Sequence, residues 1–250
     1  MAVGTAGVLD GPVAQSISRR IGKAIGEFQL VADGDRIIVA LSGGKDSFTL
    51  LRMLAARRAF APVRYELVAA HVVTDGRCGE CAPPRAVTEA CAAAEVPLRV
   101  VDTTVKLQPG EALHCHACAT ARRQALFRVA KEEGANKLAL GHHLDDIVET
   151  ALLNLFFQGA FATMPPSLVL FGGGLTIIRP LALVPEADIV RYVDECVGFP
   201  RVTCTCPVGR ESQRRKMKAL VQQLEAENPN VRQSVFGALR NVKPEYLVRG

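Results

Sequence analysis

The sequence predicts an α/β fold: a Rossmann-like parallel sheet with helices on both faces, followed by a basic helical C-terminal tail. Three observations predict it. Short, continuous apolar runs recur along the chain, as in strands buried on both faces. They alternate with segments of helical length and period, the pattern of parallel strands joined by crossover helices. The first run also ends in a Gly-rich turn that opens a helix.

The elements follow in order. Residues 1–14 are small, apolar and punctuated by Gly and Pro, a lead-in with little to order it. Residues 15–30 carry a helical pattern, with Arg19, Arg20 and Lys23 on the polar side, and Asp33-Gly34-Asp35 is a turn. Ile37–Leu41 is the first buried strand; a helix follows through about Arg58, and Leu67–Val73 is the second strand. Residues 84–95 read as helix, Leu98–Val101 as strand, 103–117 as a cysteine-bearing loop, and 119–133 as a helix stopped by Gly134. Lys137–Gly141 is the fourth strand and 144–158 the next helix. Met164-Pro165-Pro166 and Gly172-Gly173-Gly174 then break the chain. A short strand, Thr176–Ile178, and a helix from Pro185 to Val197 complete the main unit. The tail, 207–250, is helical and basic. The expected division is 1–30 (lead-in and helix), 31–200 (main domain) and 201–250 (cysteine-containing basic segment).

Composition narrows the function classes. With 250 residues and 49% apolar content, the chain can bury a large core. Its 21 Gly and 14 Pro exclude collagenous and low-complexity classes. No run of about 18 apolar residues marks a membrane span, and the N-terminus lacks the basic and apolar regions of a signal peptide. The expected location is the cytoplasm, without a membrane partner. The net charge of +5 is compatible with nucleic acid. With no Trp and three Tyr, aromatic stacking is not an obvious binding device.

Eight cysteines are the unusual count. In a reducing compartment, clustered cysteines point to metal or redox chemistry rather than disulfides. They cluster as Cys78-x-x-Cys81, Cys115-x-x-Cys118 and Cys204-x-Cys206, whereas Cys91 and Cys196 stand alone and read as small buried hydrophobes. Spacing alone leaves an iron–sulfur cluster and a zinc site, with His114 or His116 as a further ligand, equally open. Cys78 and Cys81 are open between zinc, persulfide relay, a redox pair and no role.

Ser42-Gly43-Gly44-Lys45-Asp46-Ser47 joins the first strand to its helix. Two glycines let the backbone approach a phosphate, and the helix N-terminus offers N–H groups. Ser42 and Ser47 add hydroxyls and Lys45 a positive charge. Asp46 would repel a bare phosphate, so Mg²⁺ beside it is expected. This is not a Walker A loop, because Lys45 is followed by Asp. Asp145 and Asp146, after His142-His143 at the end of the fourth strand, suit the same metal–nucleotide chemistry. Their structural alternative is a helix start.

The 42–47 loop resembles the PP-loop of the ATP pyrophosphatases. That resemblance implies ATP bound through Ser42, Gly43, Gly44, Lys45, Asp46 and Ser47, with His142, Asp145 and Asp146 nearby. It implies cleavage between the α and β phosphates and adenylation of a carbonyl oxygen. Within the family the chain is similar to the tRNA 2-thiocytidine synthetases from about Gly34 to Leu247. The blocks are the loop, Cys115-His116-Ala117-Cys118 with Arg122-Arg123, and Gly134–Gly141 with His142-His143 and Asp145-Asp146. They continue with Asn154, Met164-Pro165-Pro166, Ile178-Arg179-Pro180-Leu181, Phe199-Pro200 before Cys204, and Asn241-Val242 with Pro244.

The resemblance implies a 4Fe–4S cluster on Cys115, Cys118 and Cys204, with one open iron to hold sulfide, and a product of 2-thiocytidine at position 32 of the tRNA anticodon loop. Lys45, Asp46 and Asp145 would be catalytic. A cysteine desulfurase would supply sulfur, and family members suggest a homodimer. The later cysteine pair departs from the family's Cys-x-x-Cys, which leaves Cys206 a rival to Cys204. Two basic runs fit an RNA partner: Arg122, Arg123, Arg128 and Lys131, and the six Lys or Arg from Arg201 to Lys218 against one acid, Glu211. Their alternative is a solvated helix face. Other readings are a uridine thiolase, a lysidine-synthetase-like ligase, which needs no iron–sulfur cysteines, and a non-enzymatic metal or redox module, against which the intact phosphate loop argues.

Overall fold

The computed structural model describes residues 7–74, 84–105, 115–196 and 213–247. Cys78, Cys81, His114, Cys204, Cys206 and Arg201 lie outside them, and the side chains of Cys115 and His116 are likewise not described. The chain forms two compact units: Met1–His143 with Pro166–Arg210, and Leu144–Pro165 with Glu211–Gly250.

In the first unit, six strands among the described residues make one sheet in the order β3-β2-β1-β4-β6-β5. They are β1 (Asp35–Ala40), β2 (Tyr65–Thr74), β3 (Leu98–Thr103), β4 (Lys137–Ala139), β5 (Ser167–Leu170) and β6 (Leu175–Ile178). All pairings are parallel except β5 with β6, which is antiparallel. The order reverses between β1 and β4, the switch point at which open α/β sheets bind ligands.

The continuous apolar runs are explained by burial on both faces. Ile37 and Val39 of β1 and Leu67 and Ala69 of β2 join a core that also holds α1 (Pro12–Phe28), α2 (Lys45–Arg57), α3 (Pro84–Ala93) and α6 (Glu186–Glu195). Ile38, Val68 and Ala70 point the other way, against Ala125, Leu126, Val129 and Ala130 of α4 (Cys115–Glu132). Helices therefore cover both faces, as the alternation predicts. Cys91 is 2% exposed within the first core, and Cys196 packs against it. No helix among the described residues is long and apolar enough to cross a membrane.

Several boundaries differ from the sequence reading. The lead-in ends early: α1 starts at Pro12, whose fixed φ and missing N–H suit a first helical position. The cysteine-bearing loop is shorter than expected, because α4 opens at Cys115 rather than 119 and carries Cys115 and Cys118 in its first turn. No residue before Cys115 gives a strong helix-start signal. β5 was not anticipated; Pro165-Pro166 and the three glycines masked a four-residue strand whose hairpin turn those glycines build.

The second unit holds α5 (Leu144–Leu153), a π-helical turn (Asn154–Gln158), α7 (Gln213–Glu227) and α8 (Val231–Ala238). The expected single helix over 144–158 changes register after Leu153. Of the tail, expected to be helical over 207–250, the described residues are helical over Gln213–Glu227 and Val231–Ala238, and beyond Leu239 only Pro244–Tyr246 makes a 3-10 turn.

Asp35, 4% exposed, ties the strand starts together. It accepts from Ala32 N at 2.7 Å and from Asn136 Nδ2 at 2.6 Å, while Asn136 Oδ1 accepts from Arg36 N at 3.0 Å. Asn136→Ala should destabilise the fold by about 1–3 kcal/mol, because a buried carboxylate oxygen and a backbone N–H lose their partners. Urea unfolding checks this.

Candidate active site

The loop after β1 is built by local hydrogen bonds. Leu41 N donates to Ala70 O at 2.8 Å, extending the strand by one residue. Gly43 then takes a φ of 84°, a left-handed conformation that favours glycine. Ser42 Oγ accepts from Gly44 N at 3.3 Å and donates to Ser47 Oγ at 3.2 Å, and Ser47 Oγ donates to Gly44 O at 2.9 Å. Gly44 is the N-cap of α2 and has no side chain to cap the first-turn N–H groups. The arrangement is an anion cradle at a helix N-terminus.

Lys45 lies between two carboxylates. Its Nζ is 3.1 Å from Asp46 Oδ1 and 3.0 Å from Glu186 Oε1, at the start of α6. Burial works to lower its pKa, but Asp46 and Glu186 outweigh burial and hold it above the ordinary lysine value. Lys45 therefore stays an ammonium. Asp46 Oδ1 is buried and accepts no hydrogen bond; besides Lys45, it faces His143 Nε2 at 3.9 Å. A buried carboxylate oxygen that is ion-paired with Lys45 but accepts no hydrogen bond is a fit for a hard cation such as Mg²⁺.

The end of β4 closes against this loop. A Cβ on Gly141 would stand 3.1 Å from Ser47 N and 3.2 Å from Asp46 C, so the loop backbone would have to give by a few tenths of an ångström to admit one. His142 Nδ1 accepts from Arg179 Nε at 3.3 Å, and Arg179 is 5% exposed. His71 on β2 is 1% exposed; its Nδ1 donates to Leu41 O at 2.7 Å, and its Nε2 is buried without a hydrogen-bond partner. Sequence reasoning missed Glu186, Arg179 and His71 as site neighbours. Glu186 looked like a first-turn acid, Arg179 stood only inside a matching block, and His71 sat within an apolar strand.

The second unit holds the other predicted acids. Asp145 Oδ1 accepts from Arg232 Nε of α8 at 2.5 Å, and Arg232 also pairs with Glu225. Arg214 of α7 lies 3.2 Å from Asp146 and 3.4 Å from Glu149. Burial, with Asp146 and Asp145 adding repulsion, pushes the Glu149 carboxyl up against the pull of Arg214 and Lys218. Of the basic run at the tail, Arg214 is thus engaged with α5, while Arg215 and Lys216 are exposed.

Of the predicted cluster ligands, Cys118 is 8% exposed and packs with Val105, Ala117 and Ala121. Cys115 is the first residue of the same helix, one turn earlier. That first turn contains no acid. The two cysteines are three residues apart at the start of one helix, and thiol side chains are the usual protein ligands of iron–sulfur clusters. Cys118 therefore fits a cluster ligand.

Residues 13–197 match the PP-loop domain. The tRNA-cytidine(32) 2-sulfurtransferase of Syntrophotalea carbinolica is 43% identical over 96% of this chain and 94% of its own length. That of Geobacter sulfurreducens is 44% identical over 94% and 92%. The chain belongs to the PP-loop tRNA-cytidine(32) 2-sulfurtransferase family. The PP-loop fold is also that of the U34-tRNA thiolase NcsA from Methanococcus maripaludis, solved with its [4Fe-4S] cluster. That structure superposes with a TM-score of 0.72 at 21% identity, covering 92% of this chain and 80% of that one. The 42–47 segment, flanked by Gly141 and Glu186, lies within the matched residues.

Two outcomes follow for this family member. Gly141→Ala should weaken binding of a non-hydrolysable ATP analogue about tenfold or more and cost about 1–3 kcal/mol of stability, since backbone rather than a flexible side chain must yield; calorimetric titration and urea unfolding read the two effects. Burial pushes the Cys91 thiol up to about 11, so native protein at neutral pH should resist iodoacetamide at Cys91, and urea should expose it; peptide mass spectrometry checks the label.

Proposed function

We propose that this protein catalyses ATP-dependent thiolation of tRNA, replacing the C2 oxygen of cytidine 32 with sulfur to give 2-thiocytidine. The observation that carries the reading is the phosphate cradle with its ion-paired Lys45 and Asp46, in a chain 43% identical almost end to end to a tRNA-cytidine(32) 2-sulfurtransferase.

The chain's own groups account for the first half of the reaction. Backbone N–H groups and the Ser42 and Ser47 hydroxyls hold the ATP phosphates, and Lys45 carries positive charge to them. The cytidine C2 oxygen attacks the α phosphorus, the bond to the β-phosphate oxygen breaks, and pyrophosphate leaves. Lys45 is aimed by Glu186 and Asp46, so it meets the charge that develops on the leaving group without reorganising. Mg²⁺, which Asp46 would hold, screens phosphate charge when bound. His142, Asp145 and Asp146 keep the nucleotide- and metal-binding roles that the family resemblance gives them, and Asp145 is proposed with Lys45 and Asp46 as catalytic.

In the second half, sulfide takes the place of the adenylated oxygen, which departs in AMP. The balance is one C=O, one ATP and one sulfide converted to C=S, AMP and pyrophosphate. Cys115, Cys118 and Cys204 would hold a 4Fe–4S cluster, which supplies an open iron for sulfide when bound. A cysteine desulfurase is the proposed sulfur source, with two electrons from a thiol reductant bringing its persulfide sulfur to the sulfide level. The protein is proposed to work in the cytoplasm as a homodimer.

Asp46→Ala should abolish tRNA-dependent pyrophosphate release in a coupled assay; unchanged release removes Asp46 from the site. Anaerobically purified protein should be brown and Cys118→Ala colourless; a variant that keeps the colour is not missing a ligand. Nucleosides from a deletion strain should lack 2-thiocytidine and keep other thiolated nucleosides by mass spectrometry.

A further inference from the structure

Four large apolar side chains of the second unit lie open to solvent within one short segment: Leu155 at 45%, Phe156 at 57%, Phe157 at 46% and Phe161 at 53%. Scattered exposed apolar residues need no explanation, but a contiguous cluster marks an interaction surface. The segment is tied down. The π-helical turn ends at Gly159, Ala160 N donates to Asn154 O at 3.1 Å, and Asn154 Nδ2 donates to Ala162 O at 2.9 Å. Thr163 Oγ1 donates to Ile147 O at 2.6 Å, anchoring the far end to α5. The rings are therefore displayed by a built turn.

The surroundings say what meets them. Residues 150–166 contain no charged residue at all. The nearest part of α7 is cationic: Arg214 reaches Thr150 Oγ1 at 3.3 Å, and Arg215 and Lys216 beside it are exposed, with no ion pair among the described residues. Thr150 lies about one helical turn before the π-helical turn that carries Phe156 and Phe157, which places the start of α7 near that segment. A two-fold contact between copies would bring the same uncompensated cations toward each other, which disfavours self-association through this face. Aromatic faces beside free cations are the recognition chemistry of single-stranded RNA.

We propose that Phe156, Phe157 and Phe161 form a stacking platform for unstacked bases of the tRNA loop, with Arg215 and Lys216 on its phosphates. The inference rests on the tRNA-thiolation reading and deepens it. The C2 oxygen must be presented to ATP, so the target base leaves its stack. Unstacked bases of such a loop have lost stacking partners that exposed rings can replace.

The test uses the full-length protein and unmodified tRNA carrying 2-aminopurine in the anticodon loop. Phe156→Leu with Phe157→Leu keeps the surface apolar but removes the rings. It should weaken binding about tenfold or more and abolish the fluorescence change on binding, while ATP-analogue affinity and the salt dependence of RNA binding stay as in the wild type. Trp at the same positions should retain affinity. Arg215→Ala and Lys216→Ala should each lower the salt slope by about 1. Leu variants that bind and report like the wild type overturn the platform. So do Leu variants that dissociate a dimer without changing RNA affinity, which would make the patch a contact between copies. Wild-type protein that fails to bind the tRNA overturns the thiolation reading, and the platform with it.

Discussion

Two backbone segments meet at the C-terminal edge of the sheet, and the candidate site depends on that approach. β1 and β4 are neighbouring parallel strands, so both chains emerge on the same edge, at the point where the strand order reverses. One emerges as the phosphate loop, the other as Gly141-His142-His143. The missing Cβ at Gly141 lets the second segment settle against the first turn of α2, which brings His143 to Asp46. A larger residue would separate the strands' outlets without disturbing their pairing. The constraint is therefore specific to the site rather than to the sheet.

The electrostatics of the loop are unusual for an anion cradle. Lys45 contributes one positive charge and Asp46 and Glu186 two negative ones, so the side chains close to the ammonium sum to a negative charge. Such a cluster is a poor host for a bare polyphosphate and a good one for a polyphosphate that arrives with a divalent cation. Backbone dipoles and hydroxyls then grip the phosphate, while the Asp46 oxygen, which accepts no hydrogen bond, is available to the metal. In the second unit the acids of α5 are instead met by Arg214 and Arg232, which stabilises three closely spaced carboxylates on one helix.

The parallel sheet was legible because its strands are buried on both faces, which writes them as unbroken apolar runs. The phosphate loop was legible because its polar and Gly positions are contiguous. What escaped reading is either short or long-range. β5 has four residues between prolines and glycines, too few for a period to emerge. Glu186 meets Lys45 across 141 positions and Arg232 meets Asp145 across 87, and a single sequence carries no signal for such pairs. The phenylalanines were overlooked for a different reason: 5% aromatic content looks sparse until the fold leaves three of them exposed side by side.

The reversed direction of β5 has a consequence for how the chain is strung. In a wholly parallel sheet, a connection leaving the C-terminal edge must travel back to the opposite edge before the next strand can begin. Here Ser167 opens β5 opposite Ile178, the last residue of β6, and Pro166 O accepts from Arg179 N at 2.8 Å. The stretch from Leu144 to Pro165 thus connects two points on one edge of the first unit's sheet. Its end-to-end distance is set by strand pairing rather than by its own length. Insertions or deletions at its tip would change what the protein displays without altering the register of any strand.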